Sequence, residues 1–340
     1  MLKNKLLGVK ILTIIALALL TTTLLATTPV RAEVGEVWVD DDWAGLPNGT
    51  PVNGHVIGVD AFATINEAVQ AVAYGGKIHV SAGTYIENIE IDKALSIIGE
   101  GITDTLVQAE NESKPVFNVT FGGVGISKLT ATGGSYGIYM LNSVNSGVEK
   151  VDVSNNLEGG IYLLNSVNVF MENILCSQED YGILAENSAN IYIYTAKFIE
   201  CGVGICLRNT INTYISLSSL KDNKIGISIE ESSANTVVMW NIFNHNGYGV
   251  TVWSSASNII MMNKITRSCY GIDIQDSNFN IIIKNTVLSS ETYGISLTEN
   301  SNSNTISGNI VLRSGEYDLY WDKTGNENLW IRNIYLTKNW

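Results

Sequence analysis

Histidine is scarce in this 340-residue chain, with three residues, His55, His79 and His245, far apart in sequence. No cluster of His, Met and Cys stands at metal-ligand spacing, which points away from a transition-metal centre. Charge is thin as well, at 16% of residues, and lopsided, with 20 Lys and Arg against 33 Asp and Glu. A net charge of −13 argues against nucleic acid as a partner, because phosphate backbones are held by gathered cations. After residue 32 no apolar run approaches the roughly 18 residues that a membrane helix needs. The regular spacing of the apolar residues argues against disorder.

The first 32 residues contain no acid at all. Lys3, Lys5 and Lys10 precede the apolar run Ile11 to Leu20, and Val30-Arg31-Ala32 offers a small-residue cleavage site before Glu33. This is the pattern of a secretory signal peptide over residues 1–32. An uncleaved membrane anchor is the other reading. Without the segment, 16 cations face 33 acids, a net −17. That charge suits an exported protein kept soluble by repulsion.

What is abundant is repetition. Gly137, Gly160, Gly182, Gly204, Gly226, Gly249, Gly271 and Gly294 are separated by 23, 22, 22, 22, 23, 22 and 23 residues. Each is followed by Ile or Val. About eight residues beyond each stands an Asn: Asn145, Asn168, Asn190, Asn212, Asn235, Asn258, Asn280 and Asn304. A fixed period of this length means a solenoid. Short β-branched runs broken by Asn and Ser clusters read as strand and turn rather than helix. Coils stacked about 4.8 Å apart place like residues on like. The Asn column then reads as a hydrogen-bonded ladder and each Gly as a strand entering from a turn.

The pattern Tyr-Gly-Ile-x-Leu-x-Asn-Ser-x-Asn-x-x-Ile-x-x-Asn resembles the right-handed parallel β-helix repeat. Pectate lyases, polygalacturonases, pectin methylesterases and the NosD-type copper-maturation proteins share that repeat, and clear copies of it span about 60% of this chain. The resemblance implies an all-β, single-stranded right-handed parallel β-helix solenoid with coils of about 22 residues. Residues 33–135 are expected to form an N-terminal cap and irregular first coils, and residues 136–340 regular coils with a C-terminal cap. A helix is expected over 64–73, since Ile65, Ala68, Val69 and Val72 fall on one face. Thr64 and Glu67 supply a capping box and Gly75-Gly76 a stop. Such a helix would cover the open end of the first coil. At the other end Trp321, Trp330, Tyr335 and Trp340 read as the closing cap.

Alternation assigns the faces of the strand after each Gly. Positions one and three beyond it are apolar in every coil and point inward. Positions two and four then point outward. Glu186, Arg208, Glu230, Trp253 and Asp273 fall on five consecutive coils of that outer face, after Tyr139 and Tyr162. Glu186 and Glu230 lie two coils apart, roughly 9–10 Å, against the roughly 6.5–9.5 Å between the carboxyls of inverting glycosidases. Trp253 and the two tyrosines could stack on a sugar ring, and Arg208 could hold a uronate carboxylate. A plain ladder of alternating charge explains Glu-Arg-Glu equally well.

The catalytic motifs of the resembled families are missing. There is no Gln-Asp-Thr with Asp-Phe-x-Phe-Gly, no Asn-Thr-Asp or Gly-His-Gly on the repeats, and no outer-face aspartate cluster for Ca²⁺. Asp40-Asp41-Asp42 could hold Ca²⁺, and a solvated acidic turn is the plainer reading. Of Cys176, Cys201, Cys206 and Cys269, the pair Cys176 and Cys201 is nearly one coil apart and could approach. Cys201 and Cys269 are three coils apart, about 14 Å, too far for a bond. Three readings follow. The first is an exported cell-surface or secreted monomer that binds polysaccharide or surface glycan without turnover and has no membrane span once the signal is gone. The second is a polysaccharide hydrolase or lyase using Glu186, Glu230 and Asp273. The third is a NosD-like extracytoplasmic copper-associated assembly protein.

Overall fold

A computed structural model describes residues 34–340 of the chain. The signal-peptide reading lies outside the described residues. Each regular coil consists of three short strands, as in Ala189–Tyr194, Lys197–Ile199 and Val203–Arg208. The first two strands of successive coils join one 22-stranded sheet, and the third strands form an 11-stranded sheet. Pairing along the stack is parallel and in register, for example Ile183 with Ile205 and Ile205 with Ile227. Incomplete coils at each end bring the count to about thirteen turns of about 22 residues.

The inward columns are as the alternation requires. Ile138, Ile161, Ile183, Ile205, Ile227, Val250, Ile272 and Ile295 are fully buried, and so are the residues two further on. The repeating glycines have a different cause from the one expected. None of them has a positive φ. A Cβ on Gly182 would stand 2.4 Å from the Phe198 ring, and one on Gly204 2.7 Å from the Gly226 carbonyl. Glycine is demanded there by close approach to the core and to the next coil rather than by turn conformation.

The asparagine column resolves into separate ladders. Asn145, Asn168, Asn190, Asn212 and Asn235 sit at an outer corner with positive φ, and most are joined side chain to side chain at 2.8–3.4 Å. Asn258, Asn280 and Asn304 are fully buried and continue to Asn328, each donating to the Oδ1 of the next at 3.1 Å. The recurrence slips by one residue between Asn235 and Asn258, and that slip carries Asn from outside to inside. A second buried ladder, Asn241, Asn263, Asn285 and Asn309, ending at the half-buried Asn333, fills the bend between the first two strands. These ladders satisfy turn backbone that has no neighbouring helix or sheet to bond.

The helix is Ile65–Ala71, with the Thr64 hydroxyl accepting from the Glu67 amide at 3.2 Å. Glu87, from the next coil, accepts from the Ile65 and Asn66 amides at 2.8 and 2.9 Å, so the first turn is satisfied from outside as well. The chain leaves the helix directly into the strand Val72–Val80, so Gly75-Gly76 lie in that strand and do not stop the helix. Ile65, Ala68 and Val69 are fully buried against the first coil. At the far end Trp321, Trp330 and Trp340 pack on the last coil, with the Trp321 and Trp330 ring centroids 6.1 and 4.6 Å from that of Trp340.

Candidate functional site

The outer face of the 11-stranded sheet has three outward columns. Position two opens with Tyr139 and Tyr162 and is then mostly small, position four carries Glu186, Arg208, Glu230, Trp253 and Gln275 on consecutive coils, and the residue before each Gly is often Tyr: Tyr136, Tyr181, Tyr248, Tyr270 and Tyr293. The tyrosines are legible in the repeat, but their role depends on how neighbouring coils stack. They change the exposure of the face. Leu184, Cys206, Ser228, Asp273 and Ser296 point outward yet are at most 4% exposed. The tyrosine column on one side and the long side chains on the other close over them.

Arg208 shows how. Its guanidinium reaches Glu186 Oε1 at 3.0 Å on the preceding coil and Glu230 Oε2 at 3.2 Å on the next. It also donates to the Tyr181 hydroxyl at 3.0 Å and lies 5.4 Å from that ring centre. The remaining carboxylate oxygens are taken too. Tyr162 donates to Glu186 Oε2 at 2.5 Å, and Ser228 donates to Glu230 Oε1 at 2.5 Å. Among the described residues, Glu186 and Glu230 share Arg208 as their one paired cation. Burial pushes the Tyr162 phenol well above its ordinary range, and the Glu186 carboxylate beside it adds to the shift. Tyr139 and Tyr136 stack around Tyr162 with centroids 5.1 and 5.2 Å away.

The structure therefore brings Tyr139, Tyr162, Glu186, Arg208 and Glu230 into one contiguous row. Trp253 stands on the coil after Glu230 and is 45% exposed. Asp273 does not join the row. It lies in the covered column one coil beyond Trp253 and accepts 2.5 Å hydrogen bonds from Ser296 and Gln275. Burial raises its pKa, opposed by those two donors.

Asp40, Asp41 and Asp42 sit in and before a short 3₁₀ turn, with ligand atoms within 4.8 Å of one another. Asp40 caps that turn through the Asp42 amide at 3.1 Å, and Asp41 accepts from the Thr84 amide at 2.9 Å. Two of the three carboxylates thus already hold backbone. Each histidine is bonded to its own carboxylate, His55 to Asp60, His79 to Glu36 and His245 to Asp222, and His55 and His79 both stack on Trp38, with ring centroids 3.9 and 5.2 Å from it. All four cysteines are free thiols. Cys176 and Cys201 are both buried; a hydrogen bond with Cys201, then burial, pushes the Cys176 thiol well up. Cys206, expected on the open outer column, is fully buried, because Arg208 and Tyr181 bridge across that column. Among the described residues no helix is long and apolar enough to cross a membrane.

Comparison with known proteins bears on the architecture. A family described as the right-handed beta helix region matches residues 106–265, and one described as periplasmic copper-binding protein (NosD) matches residues 238–339. No curated protein matches the chain. Among solved structures, the A-module of a mannuronan C-5 epimerase, AlgE6, from Azotobacter vinelandii is similar at a TM-score of 0.62 and 14% identity, over 88% of this chain and 99% of that one. The catalytic unit of an α-1,3-glucanase from Streptomyces thermodiastaticus is similar at 0.62 and 13%, over 90% and 71%. The periplasmic alginate epimerase AlgG is similar at 0.56 and 13%, over 82% and 84%. At these identities the likeness is one of fold.

Proposed function

The chain is a member of the right-handed parallel β-helix repeat superfamily, and from that premise we propose that it is an exported protein whose outer face associates with polysaccharide without cleaving it. The observation that carries the reading is the state of the two glutamates. A general acid needs a proton to give and a general base a free lone pair aimed at substrate. Here all four carboxylate oxygens of Glu186 and Glu230 are engaged, two by Arg208 and two by hydroxyls. What remains available is the half-exposed Trp253 ring and the stacked tyrosine edge. Such surfaces bind sugar rings through apolar faces and polar tips. The fold neighbours include an alginate epimerase and an α-1,3-glucanase, which makes a polysaccharide partner a natural expectation for an extracytoplasmic chain.

The test is incubation of the purified protein with immobilised acidic and neutral polysaccharides, reading retention and release of short products together. Retention without products is expected, and Trp253→Ala should reduce it about tenfold while leaving the melting curve unchanged. Product release that disappears in Glu230→Gln would replace this reading with hydrolysis or lysis. Absence of retention on every glycan would remove it.

A further inference from the structure

The corner between the first two strands of each coil carries a feature that the outer glycan face does not use. Residues at this corner have positive φ: Asn173, Thr195, Leu217, Trp240, Met262, Lys284, Gly308 and Arg332. That backbone region suits Gly and Asn and is unfavourable for bulky or branched residues. On three consecutive coils it nevertheless holds Leu217, Trp240 and Met262, and these side chains are not buried. They are 58%, 49% and 36% exposed. Neither backbone preference nor core packing accounts for large apolar groups at those positions. The Trp240 indole N–H donates to Met262 Sδ at 3.1 Å, so the two form one continuous crest. Ile242, 54% exposed, flanks it on one side, with Met239 and Met261 half-buried on the other.

Charge surrounds this ridge in an unexpected sign. In a chain of net −13, the exposed cations Lys264, Arg267, Lys284, Arg313 and Arg332 lie on the coils beside and beyond it. Among the described residues none of these five forms an ion pair, whereas Lys77, Lys150, Arg208 and Lys221 do. Asp222, on the Leu217 coil, is occupied by Lys221 and His245 at 2.9 and 2.7 Å. Exposed apolar side chains in a straight line, bordered by unpaired cations, complement a surface that is apolar beneath and anionic on top.

We propose that the ridge Leu217–Trp240–Met262 docks the protein on a lipid bilayer bearing anionic headgroups. The three crest residues would enter the boundary between headgroups and acyl chains, and Lys264, Arg267 and Lys284 would meet phosphate. The solenoid suits this role because coils at about 4.8 Å spacing set the crest residues in one line, so each reaches the same depth in a plane. Insertion of about 5–10 Å is the usual depth for peripheral apolar faces. Aliphatic and thioether side chains favour acyl chains over a glycan, which needs polar partners around its hydroxyls.

The experiment is co-sedimentation of the full chain and its variants with phosphatidylcholine vesicles and with vesicles of mixed phosphatidylglycerol and phosphatidylcholine. Any contribution from residues 1–32 is common to all variants. Binding should need the anionic lipid and weaken with salt. Trp240→Ala, and separately Lys264→Glu with Lys284→Glu, should each weaken it about tenfold or more. Because Trp240 is exposed, both variants should keep the wild-type circular dichroism and melting curve. Brominated acyl chains should quench the wild type more than Trp240→Phe. Equal binding by wild type and variants would overturn the proposal. So would binding to soluble anionic polysaccharide that is lost in Trp240→Ala but kept in Trp253→Ala, or a self-association lost in Trp240→Ala without any vesicle binding. The outer glycan face is not involved, so Trp253→Ala should bind vesicles normally.

Discussion

Replacing Arg208 by Met tests whether the glutamates on the outer face are committed to structure or free for chemistry. Met keeps most of the apolar stem that covers the column beneath and removes the guanidinium. Two ion pairs, at 3.0 and 3.2 Å, and the bond to Tyr181 are lost. The Arg208, Glu186 and Glu230 side chains are 27%, 25% and 19% exposed, so water screens them in part. Hydrogen bonds to charged groups contribute about 1.5–3 kcal/mol each, and exposure of this order places each glutamate contact near the bottom of that range. With a smaller amount for Tyr181, the loss should be about 3 kcal/mol, well above the roughly 1 kcal/mol of an ordinary surface pair. Much of it is the cost of two carboxylates left without a cation. Adding Glu186→Gln and Glu230→Gln to Arg208→Met should therefore return about half. Urea denaturation followed by tryptophan fluorescence would measure this as a shift of the midpoint with an unchanged slope. A loss under about 1 kcal/mol would show that the carboxylates are solvated on their own. The argument against catalysis would then fall with it.

Two further outcomes follow from the interior. Asn263 accepts from the Asn241 backbone and side chain and donates to Asn285 Oδ1 and to the Val238 carbonyl. Asn263→Leu should cost about 3 kcal/mol or more, because several buried groups are stranded at about 1–3 kcal/mol each and the apolar gain is smaller. Asn190→Gly, on the exposed corner ladder, keeps the left-handed backbone and should cost less than about 1 kcal/mol; equal losses in urea melts would contradict the separation of the ladders. Glu179 is 3% exposed, and its Oε2 has no hydrogen-bond partner. Burial pushes its pKa from 4.5 up to about 8, against the Asn156 amide, which donates to its other oxygen at 2.7 Å. The folded state therefore holds a proton that the unfolded chain releases near pH 4.5, so stability should fall as pH rises from about 4.5 to about 8. Glu179→Gln should flatten that slope in melts taken across the window, and an unaltered slope would assign the titration elsewhere.

Much of this molecule was legible in the chain. The 22–23-residue period sets the coil, the apolar positions one and three beyond each Gly set the register, and Thr64 with Ile65, Ala68 and Val69 marks the capping helix. Periodicity is enough there because stacked coils see the same neighbours, so a residue's place in the repeat fixes its environment. Where the repeat slips, sequence reasoning loses the environment. Asn235 and Asn258 look like one column, yet one stands in solvent and the other in the core, since a single residue separates outer corner from inner ladder.

The outer row was legible as residues but not as a site. Alternation says that Cys206, Ser228 and Asp273 point outward, and they do. Whether an outward residue is open to solvent depends on how far its neighbours on other coils reach. Tyr181 and Arg208 meet 27 positions apart in sequence and close the column, a contact that only stacking decides. The exposed crest at Leu217, Trp240 and Met262 is hidden in the same way. In sequence these are three unremarked apolar residues among many. Only the corner geometry holds them in left-handed backbone, turned out to solvent beside cations that form no ion pair among the described residues.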